Sequence, residues 1–299
     1  MGAADMNMKR RVVVLAMLAM TCAAAGASNA AALNDKIIVS GASGQLGKLV
    51  VKDLLARGVP AKNLILVSRT PETLQEFAKL GASARFGDFA KPESLPAAYK
   101  GGTRMLLISI GGGAGPRPEA HKRAIEAAKA AGVKQIAYTS WITLSGDDHS
   151  GIGADHFATE NILKQSGVAW TMLRNSIYSD GIPAQAAKMI ADGRAVVPKG
   201  EVKFGYVTRE DCADAAAAVL VTPGHDNKAY DITGPEAVGV REIATAASAV
   251  SGKKIEIVEG DAAPRQIAGP AASRVSTDVM TLTGHPPKSV TELLKEKLK

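Results

Sequence analysis

Short runs of β-branched and aliphatic residues alternate along most of the chain with alanine-rich stretches in which apolar residues recur every three or four positions. The first pattern predicts strands and the second helices. Strands are expected at Lys36–Ser40, Leu64–Val67, Ala84–Phe86, Met105–Ile110, Gln135–Thr139 and Trp170–Leu173. Leu46, Leu49, Val50 and Leu54 keep helical spacing, as do Leu74, Phe77 and Ala78 after Thr70-Pro71, a pair suited to an N-cap and first helical position. Strands and helices in alternation predict α/β architecture: a doubly wound parallel Rossmann sheet over residues 34–180. Beyond Tyr178 the rhythm loosens into a helix near Pro183–Asp192, an extended Lys203–Val207, an alanine-rich helix at Asp211–Leu220, and strands at Ala229–Ile232 and Lys254–Val258. These predict a smaller C-terminal α+β lobe over 181–299 that walls a cleft at the carboxyl ends of the strands.

Residues 1–30 follow a different pattern. Lys9-Arg10-Arg11 precedes the apolar run Val12–Met20, the small residues Ala23–Ala27 and Ser28-Asn29-Ala30, which is the order of a secretory signal. The expectation is a cleaved leader and a periplasmic or secreted protein. The apolar run is shorter than the roughly 20 residues of a membrane-spanning helix, so no stable span is expected after processing; a retained N-terminal anchor is the alternative. Arg10-Arg11-Val12-Val13-Val14 also resembles a twin-arginine signal, the kind that exports folded proteins.

Composition adds little to a soluble globular reading. The formal charge of +7 falls to +5 once Asp5, Lys9, Arg10 and Arg11 leave with the leader, and the remaining Lys and Arg are interspersed with Asp and Glu. No nucleic-acid partner is expected. Cys212 alone remains after loss of Cys22, so no internal disulfide forms. His121, His149, His156, His225 and His285 form no metal-ligand spacing with each other or with cysteine, and no metal is expected.

The chemistry is concentrated after the first strand. Gly41-Ala42-Ser43-Gly44-Gln45-Leu46-Gly47 sits where a strand passes into a helix: Gly41 for the tight turn, Gly44 for backbone approach to a pyrophosphate, Gly47 for close helix–strand packing. The helix start offers N–H groups to the phosphates. A dinucleotide is therefore expected. The second strand ends in Val67-Ser68-Arg69, with Arg69 where an NAD-preferring site places a carboxylate, and its guanidinium suits the 2′-phosphate of NADP(H). Asp88 and Phe89, after the third strand, either meet the adenine or are ordinary loop residues.

The residues just named, together with Leu107-Ile108-Ser109, Ile136-Ala137-Tyr138-Thr139-Ser140, His156, Thr159-Glu160, Leu173-Arg174-Asn175, Tyr178-Ser179 and Arg209-Glu210-Asp211, resemble the NmrA-like branch of the atypical short-chain dehydrogenases, and within it the NADPH:quinone oxidoreductase type. The resemblance implies that Gly41 to Leu46 and Arg69 hold NADP(H), that Ser109, Ile110 and Gly111 line it, and that Asn175, Ser176 and Tyr178 border the nicotinamide and a quinone-like acceptor. It is compatible with a homodimer. It departs from the quinone reductases at Ile177, where they carry an aromatic residue, and in a shortened stretch from Asp261 to Ser276.

The Tyr-x-x-x-Lys pair of typical short-chain dehydrogenases is missing. The residues four places after Tyr99, Tyr138, Tyr178, Tyr206 and Tyr230 are Thr103, Ile142, Ile182, Glu210 and Gly234. An alcohol dehydrogenase is thereby disfavoured, while a quinone, already electrophilic, tolerates the loss. His156 and Tyr178 are the candidates for donating a hydrogen bond to a developing oxyanion. For His156, with Glu160 one turn on, a structural His–Glu pair is the alternative; Ser140, counted with the cofactor residues, has a structural alternative as well. The sequence thus predicts an NADPH-dependent reductase of quinones or similar electrophilic acceptors, with a non-catalytic NADP(H) sensor as the second reading.

Overall fold

The structure, a computed structural model, describes residues 35–111, 114–142, 151–260 and 273–298. The expected leader and most of the Asp261–Ser276 stretch lie outside the described residues.

Seven strands form one sheet in the order β3-β2-β1-β4-β5-β6-β8, all parallel: β1 Ile37–Ser40, β2 Leu64–Ser68, β3 Ser83–Phe86, β4 Arg104–Leu107, β5 Gln135–Trp141, β6 Ala169–Asn175 and β8 Lys228–Ile232. The helices are α1 Gln45–Ala56, α2 Gln75–Ala78, α3 Leu95–Tyr99, α4 Arg117–Ala130, α5 Gly151–Gln165, α6 Ile182–Asp192, α7 Arg209–Val221, α8 Val240–Ser251, α9 Asp278–Thr283 and α10 Val290–Lys297. The expected doubly wound sheet is present.

Its central strands are buried on both faces, so they read as continuous apolar runs rather than alternating ones. Successive β1 residues still go to opposite layers: Ile37 and Val39 pack with α1 and α7, whereas Ile38 packs with residues of α3, α4 and α5. A third apolar cluster, around Ile182, Phe204, Ile243 and Leu294, holds the C-terminal lobe, where β7 Arg194–Pro198 pairs in parallel with β9 Glu256–Gly260.

Two elements that the sequence reading gives to that lobe lie instead in the main sheet's layers. The alanine-rich α7 is apolar on nearly all sides, the composition of a helix buried all round, and its small residues let it pack closely on α1. β8 then pairs with β6, placing Leu173 opposite Tyr230.

The seam between α1 and α7 carries a strained charge. Asp53 faces Asp214 and Glu210, and burial, followed by repulsion from Asp214, pushes its carboxyl up to about 6 against the attraction of Arg57. Because the folded value lies above the ordinary 3.8, the charged form is the disfavoured one. The penalty is full above pH 6 and vanishes as pH falls towards 4. Asp53→Asn is therefore expected to stabilise the protein at pH 7.5 by about 1 kcal/mol, a figure discounted for the half-exposed site, with no gain at pH 4. Denaturant titrations at the two pH values check this.

Candidate dinucleotide site

The turn between β1 and α1 is built from backbone. Gly41 takes a positive φ of 95°, and the N–H groups of Gly41 and Ala42 both donate to the Val67 carbonyl, at 3.0 and 3.1 Å. Gly44 N–H returns to the Gly41 carbonyl at 3.1 Å. A Cβ on Gly47 would lie 2.3 Å from Gly41 O and 2.8 Å from Ala42 Cα, so only glycine lets α1 begin this close to β1.

The start of α1 differs from that of α7. Gly44 provides no side-chain cap and the first turn holds no acidic residue, whereas α7 is capped by Thr208, whose hydroxyl accepts from Asp211 N–H at 2.9 Å. The α1 N-terminus is thus left to an anion from outside the chain, favoured by its orphan N–H groups and the helix dipole.

This turn opens on a cavity of about 250 Å³ at the carboxyl ends of β1 to β4. Gly41, Ser43 and Gly44 form one wall, Ser68 and Arg69 a second, Asp88 and Phe89 a third, and Ile108 to Gly111 the last. Ser68 Oγ donates to Ser43 Oγ at 2.7 Å and accepts Thr70 N–H at 2.9 Å, tying two walls together. Arg69 is exposed and makes no ion pair with any described residue. Asp88 has one carboxylate oxygen on Ala90 N–H, and Phe89 is buried with its ring edge-on to His121. Uncapped helix, glycine cradle and free guanidinium together fit a phosphate-bearing dinucleotide.

Nine of the sixteen residues expected at the cofactor line this cavity: Gly41, Ser43, Gly44, Arg69, Asp88, Phe89, Ser109, Ile110 and Gly111. Ala42 is buried with its N–H given to the Val67 carbonyl on β2, Leu46 points into the core, and Gln45 and Gly47 belong to the first turn of α1. Ser140, Asn175 and Ser176 sit farther along, at the ends of β5 and β6. The side-chain oxygens of Asn175 and Ser176, and that of Ser179, are buried without a protein partner, and buried polar atoms of this kind call for a ligand or water.

Ser140 donates to Glu160 at 2.7 Å, and Glu160 also takes a two-pronged contact from Arg174, at 3.0 and 2.8 Å. The anticipated His156–Glu160 pair is thus replaced. Glu160 is taken by an arginine one strand away, and His156 Nδ1 instead meets the Tyr138 hydroxyl at 2.8 Å, with the Trp141 ring stacked alongside. His156 is held neutral, its pKa pushed down to about 4 by burial and by Arg117. Tyr178 Oη accepts from Asn175 Nδ2 at 3.3 Å, while the Arg209 guanidinium lies 4.5 Å from its ring centre and pairs with Asp180. Burial raises the Tyr178 pKa, so the hydroxyl keeps its proton at neutral pH.

Sequence reasoning missed Thr139, whose hydroxyl accepts Ser109 N–H at 2.8 Å, and the buried His121 and Tyr138. The one available signal was polar residues placed on otherwise apolar faces of α4 and β5.

A Rossmann sheet with a glycine-rich β1–α1 turn and an arginine after β2 defines a dinucleotide-binding protein. The chain belongs to the NAD(P)H-binding family, whose profile matches residues 41–223. It is 36% identical over 219 residues to quinone oxidoreductase 2 of Escherichia coli K12, covering 73% of this chain and 76% of that protein. It is 30% identical over 226 residues to the NAD(P)H azoreductase of Xenophilus azovorans, with 74% and 76% covered. The Citrobacter sp. triphenylmethane reductase complexed with NADP(H) superposes with a TM-score of 0.80 at 31% identity, over 88% of this chain and 99% of that one.

Proposed function

We propose that this protein is an NADPH-dependent reductase that passes hydride to a quinone or a similarly electrophilic acceptor. The observation that carries the reading is the cavity in which an uncapped helix start and the unpaired Arg69 face the same space. Relatives named quinone oxidoreductase and azoreductase, and a structural neighbour that reduces triphenylmethane dyes, support an acceptor with an extended conjugated system.

When bound, NADPH supplies the hydride. Of the residues lining the cavity, Gly41, Ser43 and Gly44 would offer backbone and space to the pyrophosphate, Arg69 would meet the 2′-phosphate, and Ser109 to Gly111 would form the floor beyond the fourth strand. Asn175 fixes the Tyr178 hydroxyl by donating to it, leaving the Tyr178 O–H free to donate a hydrogen bond, without losing its proton, to an oxygen on which charge develops. No tyrosine–lysine acid is required, because the reduced acceptor leaves as an oxyanion that water protonates. The protein's contribution is placement of two reactants in contact. Export by the N-terminal leader is part of the same proposal; N-terminal sequencing of protein from the envelope fraction tests it, processing near Ser28 to Ala31 being the expected result and an intact Met1 the contrary one.

Arg69→Ala is expected to weaken NADPH binding about 10- to 100-fold, the worth of a charge-assisted hydrogen-bond pair, with NADH binding unchanged. Fluorescence titration with both nucleotides checks it. Equal loss for both, or none for either, contradicts the assignment of Arg69 to the 2′-phosphate.

A further inference from the structure

β4 stops at Leu107, and beyond the Ile108 N–H, which still donates to the Ser40 carbonyl at 3.2 Å, the chain leaves the sheet. Ser109 N–H goes to Thr139 Oγ1, and Ile110 N–H donates to His121 Nε2 at 3.2 Å. Since the donor there is an amide, Nε2 must be the bare nitrogen of a neutral imidazole, which leaves the proton on Nδ1. Nδ1–H then donates to Thr159 Oγ1 at 3.0 Å, and the Thr159 hydroxyl donates in turn to the Asp155 carbonyl at 2.8 Å, inside α5. Tyr138 Oη lies 3.5 Å from the same Nδ1 and, with His121 Nδ1 protonated, cannot donate there; its nearest imidazole nitrogen is His156 Nδ1, at 2.8 Å. Donation to that nitrogen puts the His156 proton on Nε2.

The same turn is held from its other side. Arg117 Nε donates to the Ile110 carbonyl at 2.8 Å, and its guanidinium pairs with Asp155 at 3.3 Å. Both main-chain polar groups of Ile110 are thus tied through α4 to the stretch of α5 that carries His156. His121 itself is fully buried and stays neutral, its pKa pushed down to about 3 by burial, by His156 and by Arg117.

We propose that His121 is a positioning residue: its imidazole, bare at Nε2 and protonated at Nδ1, sets the Ser109–Gly111 turn that borders the cofactor and links it to the Tyr138–His156 pair between β5 and α5. This rests on the reading of the adjoining cavity as the NADP(H) site. His121 touches neither reactant and acts through the Ile110 peptide. One buried ring thereby fixes the cofactor floor and the proton position on His156 together.

The first test is a two-bond proton–nitrogen NMR correlation on the full chain labelled with 15N-histidine, at pH 7 without cofactor. Two neutral imidazoles of opposite tautomer are expected: one bare at Nε2, lost in His121→Gln, and one bare at Nδ1, lost in His156→Gln. Protonation of His121 at Nε2, or on both nitrogens, overturns the proposal.

The second test separates the ring's two contacts. A glutamine oxygen can take the place of Nε2 and accept from Ile110, whereas an asparagine amide takes the place of Nδ1 and leaves Ile110 N–H unpaired. NADPH titration is expected to show about tenfold weaker binding for His121→Asn and a change of no more than about twofold for His121→Gln. Equal affinities in both variants, with a wild type that binds, overturn the role of His121 alone. A wild type that binds no NADPH removes the cofactor reading and with it the purpose given to the turn.

Discussion

Glu160→Ala is expected to lower the unfolding free energy by about 3–5 kcal/mol, the cost of leaving a buried ion without its partner. Glu160 is 1% exposed, and its loss would strand the Arg174 guanidinium, whose side chain is 18% exposed, together with the Ser140 hydroxyl. Burial alone would raise the Glu160 carboxyl, but the hydrogen bonds from Arg174 and Ser140 hold it below the ordinary 4.5. With the folded value depressed, the stabilisation is present above pH 4.5 and is lost as pH falls through the folded pKa. The melting temperature should accordingly drop by roughly 10 °C or more near neutrality, with the gap from wild type narrowing in strong acid. A drop of under a degree at pH 7 would mean that the Glu160–Arg174 contact does not hold β6 to α5.

Gly47→Ala and Gly44→Ala are expected to fail in different ways. The added carbon at Gly47 meets backbone on two sides, at 2.3 Å from Gly41 O and 2.8 Å from Ala42 Cα, so α1 must shift from β1. Overpacking against main chain costs about 3 kcal/mol and should abolish measurable NADPH binding with it. At Gly44 the new carbon has only Gly41 O at 3.4 Å, an ordinary contact, so the fold survives. It occupies the mouth of the helix, where the phosphates approach, and NADPH affinity should fall about tenfold or more. Melting curves and nucleotide titration of the two variants side by side separate the roles; a Gly44 variant that binds like wild type would take the pyrophosphate away from this turn.

Much of the fold was legible because buried parallel strands advertise themselves as unbroken runs such as Ile37-Ile38-Val39 and Leu64-Ile65-Leu66-Val67. The glycine turn and Arg69 were legible for a related reason: backbone conformation and charge act locally, so their residues stand together in the chain. β7 was missed, since Arg194-Ala195-Val196-Val197-Pro198 belongs to a two-stranded sheet with every second residue exposed and carries too little apolar signal.

β4 was drawn out to Ile110 because Ile108 and Ile110 look like strand residues. The ladder ends at Leu107 because Ser109 and Ile110 give their N–H groups to Thr139 and His121, residues 30 and 11 positions away. The Glu160 partner failed in the same way. One-turn spacing pointed to His156, but the arginine that takes Glu160 comes from β6, and only folding brings it there. Networks that cross elements leave no periodic trace in the sequence, and here they hold the ends of β4, β5 and β6 to α4 and α5.

Steady-state turnover of the purified protein with NADPH, against a panel of benzoquinones, naphthoquinones and azo dyes, is the decisive measurement for the reductase reading. Acceptor-dependent NADPH oxidation that yields one reduced quinone per NADPH consumed is expected, with NADH a far poorer donor. Tight NADPH binding with no acceptor-dependent oxidation across the panel would contradict it and leave a nucleotide-binding protein without reductase chemistry.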